Sequence, residues 1–221
     1  MFPEGTSGEM RDSMTLELPG VQEELVTAVS ETGTPVVLVI ISGRPHVLGN
    51  LVEKAAAIMQ AWLPGEEGGR AVAGVLLGDY NPGGRLPVSL PVHAGQIPVY
   101  YGHKPSGGRS SIWGDYIDGP VKPLFEFGFG LSYTTFDITN LKIKPGIVGT
   151  DGKIEISAEV KNTGKRPGDE VIQLYIQDVV ASITRPVKEL KGFARISLQP
   201  GERRTVTFVL PAAECPGFER K

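Results

Sequence analysis

Hydrophobic and polar residues alternate in two different ways along the chain, and the first pattern covers the N-terminal part. Apolar side chains recur at helical spacing over 21–29, and a continuous β-branched run follows at 36–41. Such a run is typical of a strand buried on both faces of a parallel sheet. A short helical stretch, a second apolar run at 57–63 and a helical pattern over 71–76 repeat the alternation. These patterns predict an α/β domain with a mostly parallel sheet.

A stretch rich in glycine and proline follows this domain. The periodicity is lost between residues 82 and 131. A segment of this length inside a compact protein usually links domains or carries function. It also contains many of the aromatic residues of the chain, which favour packing against a surface. We therefore expect residues 93–135 to form a long linker packed on the protein surface.

The second pattern begins at Phe136 and consists of short alternating strands separated by turn-forming sequences. The strands are predicted at 154–160, 171–177, 189–196 and 204–210. This spacing is typical of an antiparallel immunoglobulin-like sandwich. The predicted fold is therefore a partial α/β sandwich over residues 1–92, followed after the linker by an all-β immunoglobulin-like sandwich over 136–221.

Charge and cysteine content narrow the possible functions. The formal net charge of -3 offers no basic field for a phosphate backbone, and no apolar run approaches the length of a membrane span. Neither nucleic acid nor a membrane is therefore an expected partner. Cys215 is the single cysteine, which excludes an intrachain disulfide and a thiolate metal cluster. Residues 1–13 lack the apolar middle section of a secretory signal, which slightly favours a cytoplasmic location.

The sequence lacks recognisable motifs for binding a cofactor or a metal ion. His46, His93 and His103 lie far apart without the spacing of metal ligands, and we expect them to be structural or surface residues. The sequence contains no phosphate-binding glycine loop, nucleophilic serine arrangement or nucleotide fingerprint. No cofactor and no metal site is expected.

Four sequence blocks, which together span most of the chain, indicate a particular protein family. They read WLPGEEGG (62–69) with GDYNPGGRLP (78–87); QIPVYY (96–101); PLFEFGFGLSYTTF (123–136); and VKNTG (160–164) with EVIQLY (170–175) and RPVKELKGF (185–193). In this order the blocks resemble glycoside hydrolase family 3 of the β-glucosidase type. The resemblance implies a parent of three domains: an N-terminal barrel with a nucleophilic aspartate, an α/β sandwich with the acid/base, and a fibronectin type III-like domain. The last two match this chain.

The resemblance also points to one catalytic residue. Retaining glycosidases use two carboxyl groups about 5 Å apart, one as nucleophile and one as general acid/base. In relatives of this type the acid/base lies in a Ser-Gly-Glu loop about ten residues before Leu-Pro-Gly, and Ser7-Gly8-Glu9 precedes Leu18-Pro19-Gly20 at that spacing. The match implies that Glu9 is the acid/base, and we expect it in a loop at the carboxyl end of the parallel strands. The alternative is a solvated glutamate near a chain terminus.

Three residues of the linker are weaker candidates for sugar binding. Trp113, Tyr116 and Asp118 combine aromatic rings with a carboxylate on a long loop, and such groups line sugar sites by stacking and hydrogen bonding. The alternative is that they anchor the linker to the domain beneath it.

The family resemblance and the candidate residues are consistent with two functions. The first is the C-terminal portion of a retaining, exo-acting β-glucosidase-like hydrolase, inactive without the barrel that carries its nucleophile. The second is a non-catalytic carbohydrate-binding or accessory module that needs a separate barrel chain. A β-linked glucoside or similar carbohydrate is the expected substrate.

Incomplete sheets are expected in both domains. The family has further strands before the acid/base loop, so strand 36–41 should expose apolar surface. The family also continues beyond the strand at 204–210, which makes the sandwich truncated and this strand an exposed edge. Association into homo-oligomers through such edges is expected.

Overall fold

A computed structural model describes residues 10–105, 114–181 and 183–215. The described residues form two compact units. The first consists of the residues up to 79, 88–99 and 115–126, and the second of 80–87, 100–114 and the residues from 127 onward. The α/β and all-β classes predicted for the two parts are both present. The predicted domain boundaries stay a prediction.

The first unit is built from short helices around a parallel sheet. Its described elements are α1 (Gln22–Ser30), β1 (Val37–Ile40), α2 (Leu51–Lys54), β2 (Ala57–Gln60), α3 (Gly68–Leu77) and a 3-10 helix (Ala94–Gln96). β1 and β2 pair in parallel, with Val37 opposite Ala57 and Ile40 opposite Gln60. The β-branched run of β1 explains the extended backbone, because such side chains fit a pleated sheet better than a helix. Among the described helices, none combines the length and apolarity that a bilayer span requires.

Backbone conformation fixes where two of these elements end. Gly78 terminates α3 with φ 83°, a left-handed conformation that glycine adopts without steric cost. β2 ends at Gln60, earlier than the predicted run to residue 63, because Trp62 has φ 54° and leaves the extended region. The chain therefore turns sharply as it leaves β2.

The parallel sheet is only partly covered. Ile40, Leu48 and Leu51 are at most 5% exposed, whereas Val37 is 48% and Ile41 61% exposed. In the described residues this sheet has two strands. Apolar surface on β1 is therefore exposed, as the sequence predicted.

The second unit is an antiparallel sandwich. Its described elements are β3 (Phe136–Lys144), β4 (Lys153–Asn162), β5 (Gly168–Ile176), β6 (Glu189–Leu198), β7 (Arg203–Pro211) and a 3-10 helix (Ala212–Glu214). The strands form sheets with the orders β3-β4-β7 and β5-β6. The core between them is built around Val160, Ile172, Ile196, Leu198 and Val206. Four of these strands match the predicted positions within a few residues.

The fifth strand, β3, was not predicted as an element of its own. Its pairing with β4 shifts register between Thr139 and Lys142, and Asn140 there has φ 55°. A bulge of this kind inserts a residue and interrupts the alternation of buried and exposed side chains. Ile138 and Ile143 are both 56% exposed. The alternation that signals a strand is therefore weak over this segment.

β7 lies at an edge of its sheet within the described residues. It pairs with β4, from Lys153 opposite Pro211 to Lys161 opposite Arg203. Val209 is 55% exposed on this strand. The edge position predicted for residues 204–210 is confirmed.

The Asn-Thr-Gly turn after β4 forms a buried polar network. Asn162 is fully buried, and its Oδ1 accepts hydrogen bonds from Thr134 Oγ1 (2.8 Å) and Gly164 N (3.0 Å). Its Nδ2 donates to the carbonyl oxygens of Arg166 (2.8 Å) and Leu198 (3.1 Å). Both ends of the amide are satisfied, so its burial carries no unpaired polar group.

Residues 80–87, part of the GDYNPGGRLP block, pack within the sandwich unit. Asn81 Oδ1 accepts from Ser132 Oγ and Tyr133 N, both at 2.8 Å, and its Nδ2 donates to Pro167 O at 2.8 Å. Arg85 Nη2 contacts both carboxylate oxygens of Glu170 on β5, at 2.6 and 2.7 Å. This block is therefore a structural anchor on the sandwich.

A second anchor surrounds Asp169 at the start of β5. Its carboxylate accepts from Ser197 Oγ (2.6 Å) and Arg195 Nε (2.8 Å), and Arg195 Nη2 also donates to Tyr80 Oη (2.9 Å). The Ser197 hydrogen bond is the largest influence on the pKa of Asp169, which lies below its usual value, and the Arg195 contacts lower it further. Both partners stabilise the charged carboxylate. A Cβ added to Gly83 would lie 2.9 Å from Asp169 Cβ.

Candidate functional site

The loop after β1 forms a tightly bonded structure at the carboxyl end of the parallel strands. Ser42 N donates to Trp62 O (3.0 Å), which continues the contact between the strands beyond their ends. Ser42 is 8% exposed, and its Oγ contacts His46 Nε2 (2.9 Å) and accepts from Arg44 N (3.2 Å). The hydroxyl thus links three residues of one short loop.

His46 connects this loop to the chain segment that precedes α1. Its Nδ1 lies 3.0 Å from Leu16 O, and Val47 N donates to the same oxygen at 2.8 Å. A carbonyl oxygen can only accept, so Nδ1 carries a proton. In the neutral ring Nε2 then accepts from the Ser42 hydroxyl. Nδ1 therefore holds Leu16, while Nε2 is bonded to Ser42.

Arg44 makes a second contact to the same segment. Its Nη2 donates to Arg11 O at 2.5 Å. Arg11 and Leu16 thus bracket a short stretch whose main chain is bonded to the loop after β1. Open α/β sheets place functional groups in loops outside the carboxyl ends of their strands, and this segment lies at that position.

Two of the four sequence candidates, Glu9 and Trp113, lie outside the described residues. Glu9 is two positions before Arg11, whose carbonyl contacts Arg44. The structure therefore describes the segment that follows Glu9 and not the carboxyl group itself. The assignments of Glu9 and Trp113 stay predictions.

Tyr116 and Asp118 are brought together on one turn. Tyr116 pairs with Gly119 in an isolated bridge, Tyr116 is half-buried and Asp118 is exposed. Asp115 Oδ1 accepts from Val121 N (2.9 Å), which closes the turn from the inside.

Gln96 fastens this turn to the 3-10 helix. Its Nε2 donates to Pro120 O (2.6 Å) and Lys122 O (3.1 Å), and its Oε1 accepts from Val92 N (2.6 Å). Tyr116 and Asp118 therefore lie on a turn that is hydrogen-bonded to the 3-10 helix. This placement favours neither sugar binding nor anchoring over the other.

Ser42, Arg44 and His46 were not predicted as parts of a site. The spacing of His46 from His93 and His103 predicted only structural or surface histidines. The signal that could have found them is their position, since all three directly follow a strand of a parallel sheet. In the described part of the chain there is no group of three or more His, Cys, Asp or Glu side chains that could hold a metal ion.

Family models and relatives match nearly the whole chain. Residues 1–133 match the glycosyl hydrolase family 3 C-terminal domain, and residues 170–216 match a fibronectin type III-like domain. A periplasmic beta-glucosidase of Salmonella typhimurium is 47% identical over 211 residues, covering 93% of this chain and 28% of the relative. A beta-xylosidase of Formosa agariphila is 47% identical over 205 residues, with the same two coverages.

A solved structure agrees with these matches. The crystal structure of a beta-glucosidase from Listeria innocua in complex with glucose gives a TM-score of 0.88 at 39% identity. The match covers 94% of this chain and 30% of that chain. The chain thus spans less than a third of the length of these relatives.

Proposed function

The chain belongs to glycoside hydrolase family 3, and on that premise we propose that it is the C-terminal portion of a retaining, exo-acting β-glucosidase-like enzyme whose general acid/base is Glu9. The nucleophilic aspartate would come from an N-terminal barrel, either in a longer form of this protein or in a separate chain. By itself the chain of 221 residues is then inactive.

The observation that carries this proposal is the position of the segment that follows Glu9. Arg11 and Leu16 are bonded to the loop at the carboxyl end of β1, where α/β proteins place functional groups. The Ser-Gly-Glu motif directly precedes this segment. A solvated glutamate near a terminus requires no such support, which favours the catalytic assignment.

Glu9 would act twice in the reaction. In the first step its protonated carboxyl gives a proton to the glycosidic oxygen while the aspartate attacks the anomeric carbon, and the aglycone leaves as an alcohol. In the second step the Glu9 carboxylate takes a proton from water as the water oxygen displaces the aspartate. The sugar is released with retained configuration and Glu9 is again protonated.

The substrate class is a β-linked glucoside. The relatives named above include a beta-glucosidase and a beta-xylosidase, so aryl β-xylosides are the proper competing substrates in any assay. A higher kcat/KM for the xyloside would replace glucose by xylose in the proposal without changing the role of Glu9.

The competing function is a non-catalytic carbohydrate-binding or accessory module. In that case the half-buried ring of Tyr116 and the exposed carboxylate of Asp118, which lie on one turn, would be the groups that contact the sugar. If the chain alone binds a β-glucan and Tyr116→Ala abolishes that binding, whereas Glu9→Gln in the barrel-containing protein leaves turnover unchanged, the module is the correct function.

The test compares Glu9→Gln with a matched control, Glu17→Gln, in the protein that includes the barrel. Glu17 is exposed and lies eight positions further along the same region. Glu9→Gln should lower kcat/KM for a phenyl β-glucoside by about 10²- to 10⁴-fold, whereas the control should retain wild-type activity. Glu9→Ala should regain turnover with azide and form a β-glucosyl azide. Clear turnover by the isolated chain would show that it carries its own nucleophile.

A further inference from the structure

We propose that Arg44 and His46 are positioning residues for Glu9, which act by holding residues 11–16, the segment that follows it, through two main-chain carbonyls. This inference rests on the proposed role of Glu9 as the acid/base. It adds two residues that act on catalysis through another group, without contacting the substrate.

The two contacts bracket the segment that leaves Glu9. Arg44 Nη2 reaches Arg11 O at 2.5 Å, and His46 Nδ1 reaches Leu16 O at 3.0 Å. Both acceptors are main-chain atoms, so the contacts fix the path of the chain and not a side-chain rotamer. A charged donor to a carbonyl oxygen is among the stronger hydrogen bonds, which suits the contact nearest to Glu9.

The anchors are themselves bonded to Ser42 in the same loop. Ser42 Oγ contacts His46 Nε2 and the main-chain nitrogen of Arg44, and Ser42 N donates to Trp62 O. The loop continues into Leu48, which is 2% exposed. Because Ser42 is buried and bonded to the segment that follows β2, this loop can hold residues 11–16.

General acid catalysis is sensitive to this kind of support. A proton donor must come within about 2.6–3.2 Å of the leaving oxygen, and a misplacement of about 1 Å can reduce the rate by about 100-fold. Loss of either anchor should therefore weaken acid assistance more than it weakens substrate binding. The defect should grow as the leaving group becomes poorer, because a good leaving group departs without a proton.

The kinetic test uses the barrel-containing protein with Arg44→Met and His46→Gln. For a phenyl β-glucoside we expect kcat/KM to fall about 30-fold, and for a 2,4-dinitrophenyl β-glucoside by less than about 3-fold. Arg44→Lys keeps a donor near Arg11 O, and His46→Asn keeps a nitrogen near the place of Nδ1, so both should recover most of the activity. Arg70→Met, an exposed change on α3, is the control.

The outcomes separate the two proposals. If Glu9→Gln has no effect, the proposed function fails. If Glu9→Gln is severe and the anchor variants lower both substrates equally, or neither, the positioning role is overturned and the proposed function stands.

A second test uses the chain of 221 residues and does not require activity. Trypsin can cleave after Arg11, whereas Arg44 is protected from it by the following Pro45. Loss of either anchor should raise the rate of cleavage between Arg11 and Asp12 by about 10-fold, since opening of the segment controls access. Thermal unfolding of each variant shows whether it is folded. Cleavage at the wild-type rate in both Arg44→Met and His46→Gln, with thermal unfolding unchanged, would contradict the proposal.

Discussion

Removing either partner of the Arg85–Glu170 ion pair should destabilise the sandwich unit. The two side chains are 12% and 14% exposed, and the guanidinium contacts both carboxylate oxygens. The change Arg85→Met leaves a carboxylate in a site with little water. The change Glu170→Gln leaves the guanidinium without its counter-ion and keeps the size of the side chain.

The expected magnitude follows from this burial. Breaking a buried pair by removing one partner costs about 3–5 kcal/mol, and the slight exposure of both groups places each single variant near 3 kcal/mol. In the double variant no charge is left unpaired, so its cost should be about 1–2 kcal/mol less than the sum of the single costs. The matched control is Arg204→Met, which breaks the Arg204–Glu202 pair. Those side chains are 47% and 35% exposed, and the urea midpoint should stay close to that of the wild type.

The assay is urea unfolding of each variant, followed by far-ultraviolet circular dichroism. Because the pair is within one unit, the midpoint of the sandwich transition is the relevant observable, and the slope should stay constant. If Arg85→Met costs no more than Arg204→Met, the pair does not hold residues 80–87 on the sandwich. A double-variant cost equal to the sum would show that the two side chains act independently.

Three further changes test neighbouring features. Gly83→Ala should cost about 1–3 kcal/mol in urea unfolding because its Cβ meets Asp169, whereas Gly84→Ala, with nothing within 4 Å, should be close to neutral. The Ser197 hydroxyl and the Arg195 guanidinium depress the folded-state pKa of Asp169, so their contribution to stability is present above the unfolded pKa of about 3.9 and is lost as pH falls through the folded value. The difference in urea midpoint between wild type and Asp169→Asn should therefore shrink below about pH 4. A difference that stays constant with pH would contradict this. In sedimentation experiments Val209→Lys should reduce self-association through the β7 edge. A wild-type chain that is monomeric at high concentration would rule out this edge as an interface.

The parts of the fold that the sequence predicted are those with strong local signals. The β-branched run at 36–41 became β1 within one residue at each end, because its preference for extended backbone agrees with its burial in a sheet. The turn chemistry around Asn162 separated β4 from β5 correctly, since the side chain bonds its own neighbouring backbone. Local preference and tertiary structure agree at these positions.

The parts that were missed depend on contacts without a local signal. β3 was overlooked because a bulge near Asn140 breaks its alternation. Arg44 and His46 bond to main-chain carbonyls, which every residue type offers, so no pairing pattern marks them. Glu9 became a candidate through resemblance to a family alone.

The anchor between Arg85 and Glu170 also has a consequence for biosynthesis. The two residues are 85 positions apart in the chain. At about 5–20 residues per second, Glu170 leaves the ribosome roughly 4–17 seconds after Arg85. During that interval residues 80–87 have no strand to bind, and their charged and aromatic side chains are available to chaperones. The sandwich can therefore close around this segment only late in translation, and pauses between codons 85 and 170 should lengthen the period in which the nascent chain is vulnerable.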